Sequence, residues 1–219
     1  MVDIFDEVEE ELREERMKEI LKKYGGLIFA ACVLVVLAVG GWRGWSWYQG
    51  QQDQDAASRY FAASARTEVS GVAGVNRPEA ITAFEAITTT APHGYAVLAR
   101  LRAAALRADA GDLAGASAEW DRVAADSSAD PLLRDLASLT WCFYHADKDD
   151  PALVEGRLKP LAAPGNAWRS LAQEQLALLA LKQGQTEAAR TQLKKLAEDT
   201  TAPTGVRGRA GALLDRVGE

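Results

Sequence analysis

The most apolar stretch of the chain runs from residue 24 to residue 42 and contains no charged side chain. A helix of this length is about 28 Å long, which is close to the hydrocarbon thickness of a bilayer. Five basic residues precede the stretch, whereas Arg43 alone follows it before Arg59, so the positive-inside bias keeps the N-terminus cytoplasmic. The pattern predicts a transmembrane helix over residues 24–48. Its flanks carry aromatic side chains that favour the headgroup level: Tyr24, Trp42, Trp45, Trp47 and Tyr48.

A cleaved signal peptide and a buried core helix fit the apolar stretch less well than a membrane anchor does. A signal peptide starts with a short basic segment and ends at small residues, but here a 23-residue polar segment precedes the stretch and bulky residues follow it. A buried helix of a soluble protein does not account for the charge asymmetry or for the tryptophan cluster. We therefore expect a retained membrane anchor.

The segment ahead of the anchor, residues 1–23, has the pattern of an amphipathic cytoplasmic helix. Phe5, Val8 and Leu12 recur at spacings of three and four, and acidic residues stand four positions before basic ones. A narrow apolar stripe of this kind suits docking onto a membrane assembly or pairing with a second copy. A solvated extension of the transmembrane helix fits the pattern equally well.

Residues 49–219 form the remaining domain, and their pattern repeats. Gly111 and Gly184 stand 73 residues apart, which is about two units of a repeat of 34 to 36 residues. A glycine suits the turn between two helices because it adopts a left-handed conformation at low cost. The same apolar positions follow each glycine, namely Ala116, Trp120 and Val123 after the first and Ala189, Leu193 and Leu196 after the second.

Helix boundaries in this domain are marked by proline, which is favoured in the first turn of a helix. The pairs Asp130-Pro131, Asp150-Pro151 and Ala202-Pro203 fall where helices are expected to start. We expect the middle repeat to be degenerate because Asp147 and Lys148 replace its turn glycine, and the last helix to cap the stack. The predicted helices span residues 53–70, 78–89, 94–110, 112–126, 131–146, 151–162, 166–183, 185–199 and 203–217.

These patterns predict an all-α chain with one transmembrane helix followed by a tetratricopeptide-like α-solenoid, and the composition supports the all-α part of this prediction. The chain is 48% hydrophobic but only 7% aromatic, which favours closely packed helices over a sheet. A net charge of -6 argues against a nucleic-acid partner. Cys32 lies in the apolar stretch and Cys142 deep in the repeat domain, so we expect no disulfide between them.

No motif indicates an enzyme, a cofactor or a metal site. His93 and His145 are far apart in the chain, and neither has a second ligand at a metal-binding spacing. The acidic run at residues 147–150 lacks the glycine and the distal glutamate of a calcium loop, so Asp150 is interpreted as a helix cap. The aromatic group of residues 141–144 either fills the core or lines a binding groove.

The C-terminal part of the chain carries a recognisable motif, formed by Gly184, Ala189, Leu193, Leu196, Asp199, Pro203, Arg207, Arg209, Ala210, Leu213 and Leu214. With this motif, the order of a charged cytoplasmic helix, one anchor and a repeat domain resembles the bacterial YfgM-like family of ancillary subunits of the Sec translocon. This resemblance implies a single-pass protein of the inner membrane whose periplasmic domain contacts translocating chains and periplasmic chaperones.

Helical repeats bind partners on the surface formed by the first helix of each repeat. Two roles fit this architecture: a scaffold at the Sec translocon, or an accessory subunit of a large membrane enzyme such as a respiratory complex. An enzyme with an unrecognised site is the least supported of the alternatives. The candidate protein-binding residues are Tyr95, Leu98, Arg102, Tyr144, Trp168, Arg169 and Gln175.

Overall fold

The structure is a computed structural model that describes the backbone of residues 4–68 and 77–218, and side chains from Lys22 onward except Ile28, Glu68 and Gly218. Every regular element in this part of the chain is an α-helix, which confirms the all-α prediction. The helices are α1 (Ile4–Glu68), α2 (Arg77–Thr90), α3 (His93–Asp109), α4 (Leu113–Ala125), α5 (Pro131–His145), α6 (Pro151–Leu161), α7 (Arg169–Lys182), α8 (Thr186–Glu198) and α9 (Thr204–Gly218).

Helix α1 runs without a break from Ile4 to Glu68, through the predicted amphipathic segment, the transmembrane helix and the first predicted helix of the repeat domain. The interruption expected around residues 49–52 is absent, because residues 49–68 contain no proline and are rich in helix-forming glutamine, alanine and arginine. The structure does not describe the side chains that form the apolar stripe predicted within residues 1–23. Residues 69 and 70, the last two of the predicted helix 53–70, also lie outside the described backbone. The chain forms two compact units, Met1–Gln52 and Asp53–Glu219.

The apolar part of α1 is long and hydrophobic enough to cross a membrane. Its most apolar window of 18 residues has a mean hydropathy of 2.3, and none of that window is buried. Large side chains such as Leu34, Val36 and Trp42 are more than two-thirds exposed, unlike those of a core helix in a soluble protein. The predicted anchor residues Tyr24, Trp45, Trp47 and Tyr48 are exposed as well.

Helices α2 to α9 begin and end within two residues of the predicted positions, with one exception. Helix α7 starts at Arg169, three residues later than predicted. Asn166 accepts a hydrogen bond from the Trp168 backbone N–H at 2.8 Å, and Gly165 has a φ of 86°. These two features hold the preceding residues in a turn, which delays the start of the helix.

A buried pattern of one small and two larger apolar residues recurs on the second helix of each repeat. The prediction for α4 and α8 is confirmed, since their residues in this pattern are at most 2% exposed. The same pattern occurs on α2 and α6, where it was not predicted from the sequence. The four sets are Ala80, Phe84 and Ile87; Ala116, Trp120 and Val123; Val154, Leu158 and Leu161; and Ala189, Leu193 and Leu196.

Glycine closes the turns after α3 and α7 as predicted. Gly111 and Gly184 have φ values of 93° and 73°, in the left-handed region. The Asp112 backbone N–H donates to the Arg107 carbonyl at 2.9 Å, which gives the six-to-one bond of a Schellman cap. Asp112 then begins α4 by accepting a bond from the Gly115 N–H.

We expect Gly111→Ala to lower the free energy of unfolding by about 1–2 kcal/mol, because an L side chain is strained in the left-handed region. A Cβ at this glycine meets no atom within 4 Å, so the cost comes from the backbone alone. Gly156→Ala in helix α6, which also has open space, is the matched control and should be neutral or stabilising. Urea unfolding followed by circular dichroism measures both; equal stability of the two variants would contradict the expectation.

Candidate protein-binding surface

The first helices of successive repeats are joined by polar contacts between residues 35 or 36 positions apart. We call these contacts the ladder. Their spacing confirms a repeat of this length, because equivalent positions of stacked repeats lie side by side. The ladder comprises Arg102 Nη2 to Thr67 Oγ1 at 3.3 Å, Tyr144 Oη to Asp109 Oδ1 at 2.6 Å, Trp168 Nε1 to the Leu132 carbonyl at 3.0 Å, Lys182 Nζ to the Ala146 carbonyl at 3.3 Å, and Arg209 to Glu174 at 2.6 Å.

Tyr144 combines packing with a hydrogen bond in the ladder. Its ring lies 5.1 Å from the ring of Trp120, and its hydroxyl donates to the Asp109 carboxylate. Burial, together with that hydrogen bond, raises the pKa of Tyr144 to about 12. The neutral phenol is therefore a stable donor at any physiological pH. The neighbouring Phe143 is exposed, whereas Trp141 and Cys142 are buried, so the aromatic group of residues 141–144 mainly fills the core.

The candidate residues on α3 lie near the C-terminal part of α1. Tyr95 faces Tyr60, with the ring centroids 6.3 Å apart, and Arg102 is an exposed member of the ladder. Leu98 is half-buried, as is Gln175 on α7. These side chains keep part of their surface accessible, as a binding residue requires.

Trp168 and Arg169 are engaged in contacts within the domain. The Trp168 indole N–H donates to the Leu132 carbonyl at 3.0 Å, which joins the start of α7 to the start of α5. Arg169 pairs with Asp199 at 3.3 Å and lines a groove between α7 and α8. The Thr201 hydroxyl and, to a smaller extent, the Thr201 backbone N–H donate hydrogen bonds to the Asp199 carboxylate. Both bonds lower the pKa of the Asp199 carboxyl. The structure therefore places Arg169 beside α8, whereas Arg102, Tyr144 and Trp168 all contact a neighbouring first helix.

A chain of side chains connects α4, α5 and the turn before α6. His145 Nε2 lies 2.7 Å from Ser117 Oγ, and His145 Nδ1 contacts the Asp149 carboxylate. The order matches a Ser–His–Asp triad, but the Ser117 hydroxyl also bonds the Leu113 carbonyl at 2.7 Å, and none of the described grooves is lined by these residues. These linked side chains fix the turn between α5 and α6, which contains no glycine, unlike the two turns closed by Gly111 and Gly184.

Aromatic stacking and capping stabilise the same turn. The Trp141 ring lies parallel to the His145 ring at 3.9 Å, and the Arg157 guanidinium lies 3.8 Å from the Trp141 centroid. Asp150 caps α6 by accepting a bond from the Ala152 N–H at 2.9 Å, as predicted. Asp147 pairs with Lys182. Each of the three aspartates in the acidic run therefore has a partner within the domain.

The two histidines of the repeat domain have different partners. His93 lies 3.1 Å from Ser128 Oγ and 3.5 Å from Asp126, far along the chain from His145. Burial raises the pKa of the Cys142 thiol to about 11, so it is protonated at neutral pH. Among the side chains that the structure describes, no group of three potential metal-ligating residues is arranged to hold an ion.

The comparison with known protein families agrees with the stacked helix pairs. A family described as a tetratricopeptide repeat-like domain matches residues 18–152, which is more than half of the chain. The chain belongs to this family. The match begins in α1 and ends at the start of α6, so the tetratricopeptide repeat-like family includes both the apolar helix and the first repeats. No curated protein and no solved structure matches the chain.

The tetratricopeptide repeat-like fold is a non-catalytic fold that mediates protein–protein interactions. Sequence reasoning did not identify Asp109, Glu174 and Lys182 as members of the ladder. A search for polar residues spaced by 35 or 36 positions would have suggested them, although it would not have shown which pairs meet.

Proposed function

We propose that this protein is a membrane-anchored scaffold for protein–protein interactions in the bacterial inner membrane. The observation that supports the proposal is the presence, on one chain, of an exposed apolar helix and a tetratricopeptide repeat-like domain. The helix crosses the bilayer once with its N-terminus in the cytoplasm, where its basic flank is retained. The repeat domain then lies in the periplasm and has no catalytic role.

The proposed partners are subunits of the Sec translocon, translocating chains and periplasmic chaperones. Support comes from the resemblance of the whole chain to the YfgM-like family and from accessible side chains on the first helices. Leu98 and Gln175 keep exposed surface beside the ladder, and Arg102 does so within it. A repeat domain tethered at the membrane raises the local concentration of any client or chaperone that it binds.

Site-specific photocrosslinking in intact cells tests the proposal. A benzophenone amino acid at Leu98 or Gln175 of the full-length protein should label Sec subunits or exported chains while export is active. The control position is Ala118 on α4, which is exposed and lies on a second helix. Protease added to spheroplasts should digest the repeat domain. A domain that stays protected in intact spheroplasts, or stoichiometric co-purification with a respiratory complex instead, would refute the proposal.

A further inference from the structure

Two grooves of the repeat domain lie at equivalent positions. One lies beside α3 and α4 and has a volume of about 220 Å³, and the other lies beside α7 and α8 and has a volume of about 300 Å³. We call them the α3–α4 groove and the α7–α8 groove. Five lining residues of the first groove each stand 73 positions before a lining residue of the second, which is also the spacing of the two turn glycines. The equivalent pairs are Thr89 and Ala162, Arg100 and Gln173, Ala103 and Leu176, Glu119 and Gln192, and Arg122 and Lys195.

The charged side chains that line the α3–α4 groove pair with one another. The Glu119 carboxylate accepts from Arg122 Nη1 at 2.6 Å and from Arg100 Nε at 3.1 Å. Arg107 pairs with Glu85 from the preceding repeat. Each charged side chain that lines this groove therefore has a partner in the groove itself, and no outside group is needed to balance the charge.

The α7–α8 groove keeps a cation but has lost the acidic partner of that cation. Lys195 stands at the position of Arg122, whereas Gln192 replaces the glutamate and Gln173 replaces the arginine on the first helix. Among the side chains that the structure describes, none forms an ion pair or a hydrogen bond with these three residues. Three hydrogen-bond donors without an acceptor therefore line the place that the Glu119 carboxylate fills in the other groove.

The other two charged residues of the α7–α8 groove balance each other. Arg169 Nη2 lies 3.3 Å from Asp199 Oδ2. The Asp199 carboxylate also accepts from the hydroxyl of Thr201 at 2.6 Å and from the backbone N–H of Thr201 at 2.9 Å. Among the residues that line the groove, the charge of Lys195 is the one that is left without a counter-charge. The groove therefore favours an anionic group from outside the domain.

The shape of the α7–α8 groove favours an extended chain over a helix. Its lining spans residues 169–176 on α7 and residues 192–199 on α8, each about 10 Å long, which is the length of about three extended residues. The amides of Gln173 and Gln192 each both donate and accept, as a backbone peptide group does. The peptide groups of an extended segment are free to bond with them, whereas a helix bonds its own. Leu176 adds an apolar wall for a neighbouring side chain.

We propose that the α7–α8 groove binds an aspartate or glutamate side chain within an extended segment of a partner protein. The carboxylate of the partner takes the place that Glu119 has in the α3–α4 groove and accepts a charge-assisted hydrogen bond from Lys195. The two glutamine amides bond the backbone of the segment, and an apolar side chain next to the acid packs on Leu176. This surface contains no member of the ladder, and the inference does not depend on the Sec partners proposed above.

Zero-length crosslinking with a water-soluble carbodiimide tests this inference. The reagent activates a carboxylate, which then forms an amide with a lysine amine that touches it. Native membranes that contain the full-length protein are treated, and mass spectrometry locates the linked residues. We expect Lys195 to be linked to an aspartate or glutamate of an identified protein at least about fivefold more often than Lys194. Lys194 is the matched control because it is exposed on the same helix and does not line the groove.

Matched variants show whether the charge of Lys195 holds the partner. A fluorescent synthetic peptide of the linked segment should bind the purified full-length protein in detergent. Lys195→Gln, or glutamine in place of the acidic residue of the peptide, should each weaken binding about tenfold, whereas Lys194→Gln should leave it unchanged. Gln192→Glu should also weaken binding, because it supplies the internal acid that Glu119 supplies in the other groove. Melting temperatures should not change, since these side chains have no partner within the domain.

Several results would overturn the inference. Lys195 could be linked to no other protein, be linked no more often than Lys194, or be linked only to Asp199 of its own chain. A link to the C-terminal carboxylate of another chain, or to a second copy of this protein, would also contradict it. So would a peptide that binds as a helix by circular dichroism, or that binds Lys195→Gln as tightly as the unchanged protein.

Discussion

Trp120→Ala is expected to lower the free energy of unfolding of the repeat domain by about 3–5 kcal/mol, because truncating a buried tryptophan leaves a cavity that neighbours fill only partly. Trp120 is 1% exposed and is the largest fully buried side chain in the part of the chain that the structure describes. It packs in the middle of the main core cluster, against Tyr144 of the next repeat. Urea unfolding of the full-length protein in detergent, followed by circular dichroism, measures the loss.

Trp120→Phe is the matched control for this prediction. The indole Nε1 is buried and has no hydrogen-bond partner among the described atoms, so phenylalanine removes an unsatisfied donor while it keeps most of the apolar volume. We expect this variant to lose less than about 1.5 kcal/mol. Similar losses for the alanine and phenylalanine variants would show that Trp120 does not stabilise the domain by filling its core.

Arg209→Met is expected to destabilise the docking of α9 on α7 by about 2 kcal/mol, because it leaves the buried Glu174 carboxylate without its partner. Two nitrogens of Arg209 donate to the two oxygens of Glu174, each at 2.6 Å. The Glu174 side chain is 5% exposed and that of Arg209 is 55% exposed, so solvent screening keeps the loss below that for a fully buried pair. The hydrogen bonds that Arg209 donates to this carboxylate raise the pKa of Arg209.

A double-mutant cycle separates the ion pair from packing. Glu174→Met combined with Arg209→Met should recover most of the stability that the single arginine variant loses, since no charge is then buried without a partner. Lys159→Met, which removes an exposed pair with Glu155, is the control and should change stability by less than about 0.5 kcal/mol. Hydrogen exchange of the α9 amides reports the local effect. Additive losses in the double variant would contradict a coupling between Glu174 and Arg209.

Much of the repeat architecture was predictable because its signals are local. The turns at positions 111 and 184 need a left-handed backbone conformation, which few residues other than glycine adopt, so the two glycines mark these turns in the sequence. Asp130 and Asp150 precede prolines and cap α5 and α6 as expected. The buried set on α2, which begins at Ala80, was overlooked because residues 69–76 before it contain no glycine at the repeat spacing. The signal that could have revealed it is that Ala80 lies 36 residues before Ala116.

The candidate binding residues were less predictable, since a periodic pattern cannot show how a side chain is used. Trp168 is a residue type that often lines binding grooves, but its indole N–H donates to the Leu132 carbonyl and so joins two first helices. Arg169 lies on the side of α7 that faces α8, with Asp199 as its partner. Both outcomes depend on where neighbouring repeats place a carbonyl or a carboxylate.

The sequence alone determined that the chain is helical, that one helix is apolar enough to enter a membrane, and that the remainder repeats about every 36 residues. These properties depend on hydropathy, on helical periodicity and on backbone requirements, which neighbouring residues set. Only the tertiary structure decided that α1 is continuous from Ile4 to Glu68 and that Glu174 meets Arg209. Side chains 35 residues apart become neighbours only after the helix pairs have stacked.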